Sequence, residues 1–356
     1  WTGEDRGGHG DFGPAASETD GNVVVETAPD VVLRGNVIGL PPDVLAPPEG
    51  DVRSPANCIF AVGAQRATVE GNLIAYCGRS GIMTGGSCGD WIIAGNEIRG
   101  NAADYPESDG LDLVRSPGGF VIEGNLLAEN TGTGMDSFGL TGGFELTGNT
   151  IEGNGFGMVE TAGIRLYGTG STVTGNVVTG NAGPGILVVA LEDQDGTPGI
   201  QCMLSSNHFG GNGGSAIDLA ETSGAGEVGD GITLNDGGPG DPCGYDENQG
   251  NRGLDFPVLS STELNGTGTT LTVSGTTCRG STVQVYRAQP DAGDVLGTSF
   301  YGEGVEYLGD VVPAGDTGWF SGSLTVRLNM GDQVTAIAVD ASGNTSEFCE
   351  NMTLAP

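Results

Sequence analysis

Asp109 and Asp112 lie three residues apart in Ser108-Asp109-Gly110-Leu111-Asp112, and Asp136 and Arg165 follow at intervals of 24 and 29 residues. Carboxyl groups held close together raise one another's pKa and divide the roles of acid and base. Hydrolysis of a glycosidic bond needs that division, one carboxyl protonating the leaving oxygen while the other serves as nucleophile or base. If the intervals mark successive turns of a coil, neighbouring acids fall near the short separation of retaining enzymes. A skipped turn approaches the inverting distance. Asp109, Asp112, Asp136, Glu160 and Arg165 are the candidate catalytic residues, and Arg165 is the one base available for lyase chemistry. Tyr105, Phe138 and Tyr167 are nearby rings on which a sugar could stack. The plain alternative is a polar outward face on which Arg165 screens its acidic neighbours.

Two recurring motifs position these residues. Gly-Asn-x-apolar-x-x-Asn begins at Gly95-Asn96, Gly124-Asn125, Gly148-Asn149 and Gly175-Asn176, with weaker copies at Asn72, where Cys77 takes the second Asn position, and at Asn207. A small residue followed by apolar-x-apolar recurs at Gly81-Ile82, Gly110-Leu111, Gly134-Met135, Gly163-Ile164, Gly185-Ile186 and Ala216-Ile217. Such alternation is a short strand with one face buried, and each repeat carries two more. Three short strands per turn, broken by Gly and Asn at left-handed corners, describe a parallel β-helix. The registered column is then Met83, Asp112, Asp136, Arg165, Leu187 and Asp218. Corner asparagines stacked about 4.8 Å apart are expected to hydrogen-bond along the axis as ladders.

Composition narrows the partners. The chain of 356 residues has 68 Gly and a net charge of −34, and all 12 basic residues are arginine. Repulsion excludes nucleic acid and anionic membranes, while calcium, salt and an extracellular medium suit such a surface. No run of 18 apolar residues offers a membrane span, and a start at Trp1 suggests a processed or trimmed chain. Seven cysteines without a Cys-x-x-Cys pair favour disulfides of a secreted or cell-surface protein. The expected pairs are Cys278 with Cys349 and Cys202 with Cys243, with Cys58, Cys77 and Cys88 unassigned.

The pattern divides the chain into a solenoid at 1–228 with an early proline-rich insertion at 41–55, a connector at 229–256, and a β-sandwich of immunoglobulin-like type at 257–356. Asp230, Asp236, Asp241 and Asp246 in the connector are candidate calcium ligands, being hard oxygen donors on glycine-supported turns. No organic cofactor is implied.

The Gly-Asn repeats, Leu254-Asp255-Phe256-Pro257, Gly302-Glu303-Gly304, and the run from Ala338 through Asn344-Thr345-Ser346-Glu347-Phe348 resemble bacterial secreted right-handed parallel β-helix repeat proteins with a C-terminal immunoglobulin-like module. The resemblance implies an all-β fold, and functions that range from adhesion to polysaccharide cleavage. Ser108-Asp109-Gly110-Leu111-Asp112 resembles the first acidic motif of polygalacturonase-type hydrolases, but no Gly-His-Gly follows in order and the absence of lysine rules out Arg-x-Lys. The leading expectation is a structural or adhesive surface protein binding glycans, calcium or sister molecules. The alternative is a glycoside hydrolase or polysaccharide lyase working on the stacked carboxylates. An open solenoid end is expected to be capped by the N-terminal segment or another molecule.

Overall fold

The computed structural model describes residues 20–40, 53–105, 107–157, 161–190, 198–220, 228–237, 243–314 and 317–354. Among these residues, three parallel sheets of eight, seven and seven strands form the solenoid. The first runs from Gly21–Glu26 to Ile217–Ala220, the second from Val32–Arg34 to Met203–Ser205, and the third from Val37–Ile38 to His208–Gly210. Every strand pairs with its equivalent one coil away. The chain therefore visits all three sheets before returning to the first, as the repeat interval requires.

Inward positions on each face build one continuous apolar column. Ile82, Leu111, Met135, Ile164, Ile186 and Ile217 supply it from the first sheet, Ile93, Ile122 and Leu146 from the second, and Ile98, Leu127 and Ile151 from the third. Two asparagine ladders close the corners. In one, Asn36, Asn72, Asn96, Asn125, Asn149 and Asn176 each pass their amide to the next Oδ1 at 2.9–3.0 Å, the row ending on Asn207. The other links Asn101, Asn130, Asn154, Asn181 and Asn212 at 2.9–3.1 Å. Each ladder oxygen also accepts a backbone N–H, as Asn149 Oδ1 does from Asn125 at 2.8 Å. Two glycine rows make room for this. Gly124 has φ +61°, and a Cβ on Gly110 would meet Asn130 Nδ2 and the Gly134 carbonyl, both at 2.6 Å.

The C-terminal part is antiparallel. Val258–Leu264, Thr270–Thr276 and Trp319–Thr325 form one sheet, and Gly304–Val311, Thr282–Ala288, Gln333–Val339 and Met352–Thr353 form another, packed into a small sandwich around Leu271, Val273, Val285 and Phe320. This sandwich also caps the last coil of the solenoid, while residues 1–19 of the N-terminal segment, the other expected cap, lie outside the described residues. Asn344 Oδ1 accepts the N–H of Gln201, Thr345 Oγ1 that of Leu204, Glu303 Oε1 that of Asn212, and Glu347 Oε1 that of Leu219. Phe348 plugs the apolar column, with its ring 5.7 Å from Phe209 and 5.2 Å from Tyr286. Edge amides of the last coil thus find side-chain acceptors in place of another strand.

The disulfides also differ from expectation. Cys58 joins Cys77, and Cys243 joins Cys278. Cys88, Cys202 and Cys349 are buried free thiols. Cys202 and Cys349 are each held in a separate core, where burial pushes the thiols up to about 12 and about 11. Cys77 occupies the ladder position ahead of Asn101, whose Oδ1 accepts its N–H at 3.0 Å, and that stacking brings it to Cys58. Residues 41–52 of the insertion lie outside the described residues.

Candidate active site

Strand pairing aligns Met83, Asp112, Asp136, Arg165, Leu187 and Asp218 in one column of the first sheet, as the repeat spacing implies. Alternation places these side chains opposite the inward Ile, Leu and Met column, on the outer face. Asp109 enters from the residues just ahead of the strand. Its Oδ1 accepts the N–H of Thr133 at 2.9 Å, and its own N–H donates to Ser80 Oγ at 3.1 Å. Asp109, Asp112 and Asp136 each bring one carboxylate oxygen within 4.8 Å of the others. Arg165 Nη2 lies 3.3 Å from Asp136 Oδ2 on the following coil.

This outer face is not the polar surface that the sequence suggests. Asp109 and Asp136 are 0% exposed, Arg165 2% and Asp112 3%. Beside them Phe60, Met83, Val114, Phe138, Tyr167, Leu187, Val189 and Ala220 form a second apolar cluster on the same sheet. Phe138 and Tyr167 meet edge to face at 5.4 Å, and Arg165 lies 5.4 Å from the Tyr167 ring centre. Tyr105 stands apart from that pair, stacked under the guanidinium of Arg79 at 3.9 Å. A readable signal existed for this layer. Val114, Phe138, Tyr167 and Val189 stand two residues beyond the charged column and so share its face. Glu160 lies outside the described residues.

Asp109, Asp112, Asp136 and the Arg165 guanidinium thus meet in one buried cluster. The oxygen-only donor set fits calcium-class ions.

The connector acids separate. Asp230 lies by Asp218, Asp236 donates its N–H to Asp255 Oδ1 at 3.2 Å, and Asp246 Oδ1 accepts from Asn248 at 2.8 Å. Among the described residues none of the three belongs to a cluster of three acids within 4.8 Å, and Asp241 lies outside them. Two acidic groups at the cap went unforeseen. Asp218 and Glu347 face each other beside Asp230, burial and the neighbouring charges pushing Asp218 up to about 8 and Glu347 well above its usual range. Asp291, Asp294 and Glu303 form the other. The Gly302-Glu303-Gly304 and Asn344-Thr345-Ser346-Glu347 runs carried these residues in plain view, but nothing local marks a residue as a cap for a distant coil.

Among the described residues no helix is long and apolar enough to cross a membrane. A crystal structure of pectate lyase Pel9A is 15% identical with a TM-score of 0.34, covering 45% of this chain and 46% of that one. Full-length tailspike protein 2 from Escherichia coli O157:H7 bacteriophage CAB120 is 11% identical with a TM-score of 0.28, covering 94% and 59%. ORF18 of Geobacillus virus E2 is 12% identical with a TM-score of 0.25, covering 91% and 63%. The chain thus spans about half the length of the first and less than two thirds of the other two. A family model described as a right-handed beta helix region matches residues 50–193 and 107–238, more than half of the sequence. The chain belongs to the right-handed β-helix family.

Proposed function

We propose that the protein cleaves polysaccharide outside the cell, with Asp109, Asp112 and Asp136 as its reactive centre and Arg165 beside it. The observation that carries this reading is the convergence of three carboxylate oxygens within 4.8 Å, next to a cation from the following coil. In a hydrolase, a proton held within the cluster passes to the glycosidic oxygen while an ionised neighbour attacks the anomeric carbon or activates water. In a lyase, the same oxygens would hold a calcium-class ion that neutralises the uronate carboxyl, Arg165 would accept the proton beside that carboxyl, and the glycosidic oxygen would leave as the double bond forms. The near-complete burial of the four side chains requires the outer layer to part before a sugar chain enters. Two disulfides and the acidic surface suit an extracellular setting. The antiparallel sandwich would then be an immunoglobulin-like module of 257–356, joined by a connector of 229–256 to a solenoid of 1–228.

That burial favours a second reading, in which the cluster clamps neighbouring coils of a rigid surface rod that binds glycans, calcium or sister molecules. Release of product from polysaccharides by the wild type and by the Asp112→Asn/Asp136→Asn variant separates the two. Only the first reading predicts products that the variant loses.

A further inference from the structure

We propose that Asp291, Asp294 and Glu303 form a site for a hard divalent cation of the calcium class, at the seam between the last coil of the solenoid and the C-terminal sandwich. One carboxylate oxygen from each lies within 4.8 Å of the others. Asp294 and Glu303 are both 0% exposed. Their remaining bonds show which oxygens are spoken for. Glu303 Oε1 accepts from Asn212 twice, from the side-chain amide at 2.8 Å and from the N–H at 3.1 Å. Asp294 Oδ2 accepts the N–H of Asp291 at 3.1 Å, and Asp291 Oδ1 that of Gly293 at 2.7 Å. Asp294 Oδ1 and Glu303 Oε2 are left as buried oxygens with no hydrogen-bond partner among the described residues.

Buried oxygens of this kind are rare in folded proteins and point to a ligand that supplies the missing partner. The donor set is all oxygen and carries up to three negative charges, which suits calcium rather than zinc or a thiophilic metal. Asp291 is partly exposed and provides the way in. The loop bearing Asp291 and Asp294 packs directly on the solenoid end, where a Cβ on Gly293 would meet the carbonyls of Gly214 at 2.7 Å and Asn212 at 3.0 Å. A cation here ties that loop, Glu303 and the end of the second asparagine ladder into one unit. The site is therefore a lock between the two halves of the chain and is separate from the Asp109 cluster.

The test is titration of the whole chain, stripped with chelator, with calcium chloride, following ion uptake and thermal unfolding. The Asp294→Asn/Glu303→Gln variant keeps the acceptor that Asn212 uses and is expected to take up one ion fewer per chain than the wild type. It should also lose a Tm rise of about 4 °C at a hundredfold excess over Kd. The Asp112→Asn/Asp136→Asn variant should retain that ion and that rise, which separates this site from the reading of the outer face. Equal uptake by wild type and seam variant, or uptake by neither, would overturn the proposal. Should the double variant fail to fold, Asp294→Asn alone can be titrated with terbium, with sensitisation expected through Tyr301, whose N–H donates to the Asp294 carbonyl at 2.8 Å. Emission equal to that of the wild type contradicts the site.

Discussion

Glu347 Oε1 accepts the backbone N–H of Leu219 at 2.9 Å across 128 residues of sequence, and its Oε2 takes that of Thr233 at 2.8 Å. Leu219 belongs to the last strand of the first sheet, whose edge would otherwise present open amides. The same short run gives Thr345 to the second sheet and Phe348 to the apolar column. A parallel stack ends cleanly only when such donors find acceptors. The C-terminal sandwich is therefore part of the solenoid's stability as well as a neighbour to it.

A chain ending at residue 228 should consequently expose Phe209 and the last-coil amides and self-associate. Size-exclusion chromatography with light scattering checks this, and a monomeric, fully folded truncation would speak against the capping role.

Stability should fall with rising pH on account of Asp218. Its carboxyl is pushed up to about 8, first by burial and then by the charge of Asp230, with Glu347 facing it. The native state therefore holds a proton that the unfolded chain releases near pH 4. The contribution is complete below that value and is lost as pH climbs towards 8, at about 1.4 kcal/mol per pH unit for each extra proton held. Asp294 and Glu303, when free of a cation, act in the same direction. Urea midpoints measured in chelator from pH 5 to pH 8 should decline in the wild type and decline less in Asp218→Asn. Identical slopes would refute the assignment.

Asn149→Ala should destabilise the fold by about 3 kcal/mol, because it removes a buried amide that serves three neighbours. Its Nδ2 donates to the Ile122 carbonyl at 2.9 Å and to Asn176 Oδ1 at 3.0 Å, and its Oδ1 accepts from Asn125. Chemical denaturation followed by far-UV circular dichroism measures it. A loss within 0.5 kcal/mol would mean that the ladder decorates the coil without holding it.

What the sequence made legible was whatever repeats. Gly124-Asn125 and its copies disclose corners, Gly110-Leu111-Asp112 and its copies disclose a sheet and its register, and those two facts alone bring Asp112, Asp136 and Arg165 together. What it concealed is specified once and at long range. The acceptor for Leu219 comes from Glu347, and the partner of Cys243 is Cys278 rather than Cys202. Spacing gives no register between a solenoid and a sandwich, so neither follows from pattern. The apolar outer layer of Val114, Phe138 and Tyr167 was written in the repeat, but lay just beyond the short strands Leu111–Leu113, Met135–Asp136 and Ile164–Leu166.

The carboxylate cluster on the first sheet is where the proposed chemistry takes place. Its most direct test is product release from a broad panel of acidic and neutral polysaccharides, with and without calcium, comparing the wild type with Asp112→Asn/Asp136→Asn at matched thermal stability. Cleavage of at least one polymer by the wild type, reduced about 100-fold or more in the variant, is the predicted result. Calcium dependence would assign the cluster to cation-assisted elimination, and its absence to acid and base hydrolysis. No product from the wild type across the panel, or equal product from both proteins, would contradict the claim and leave the cluster as a clamp in a structural rod.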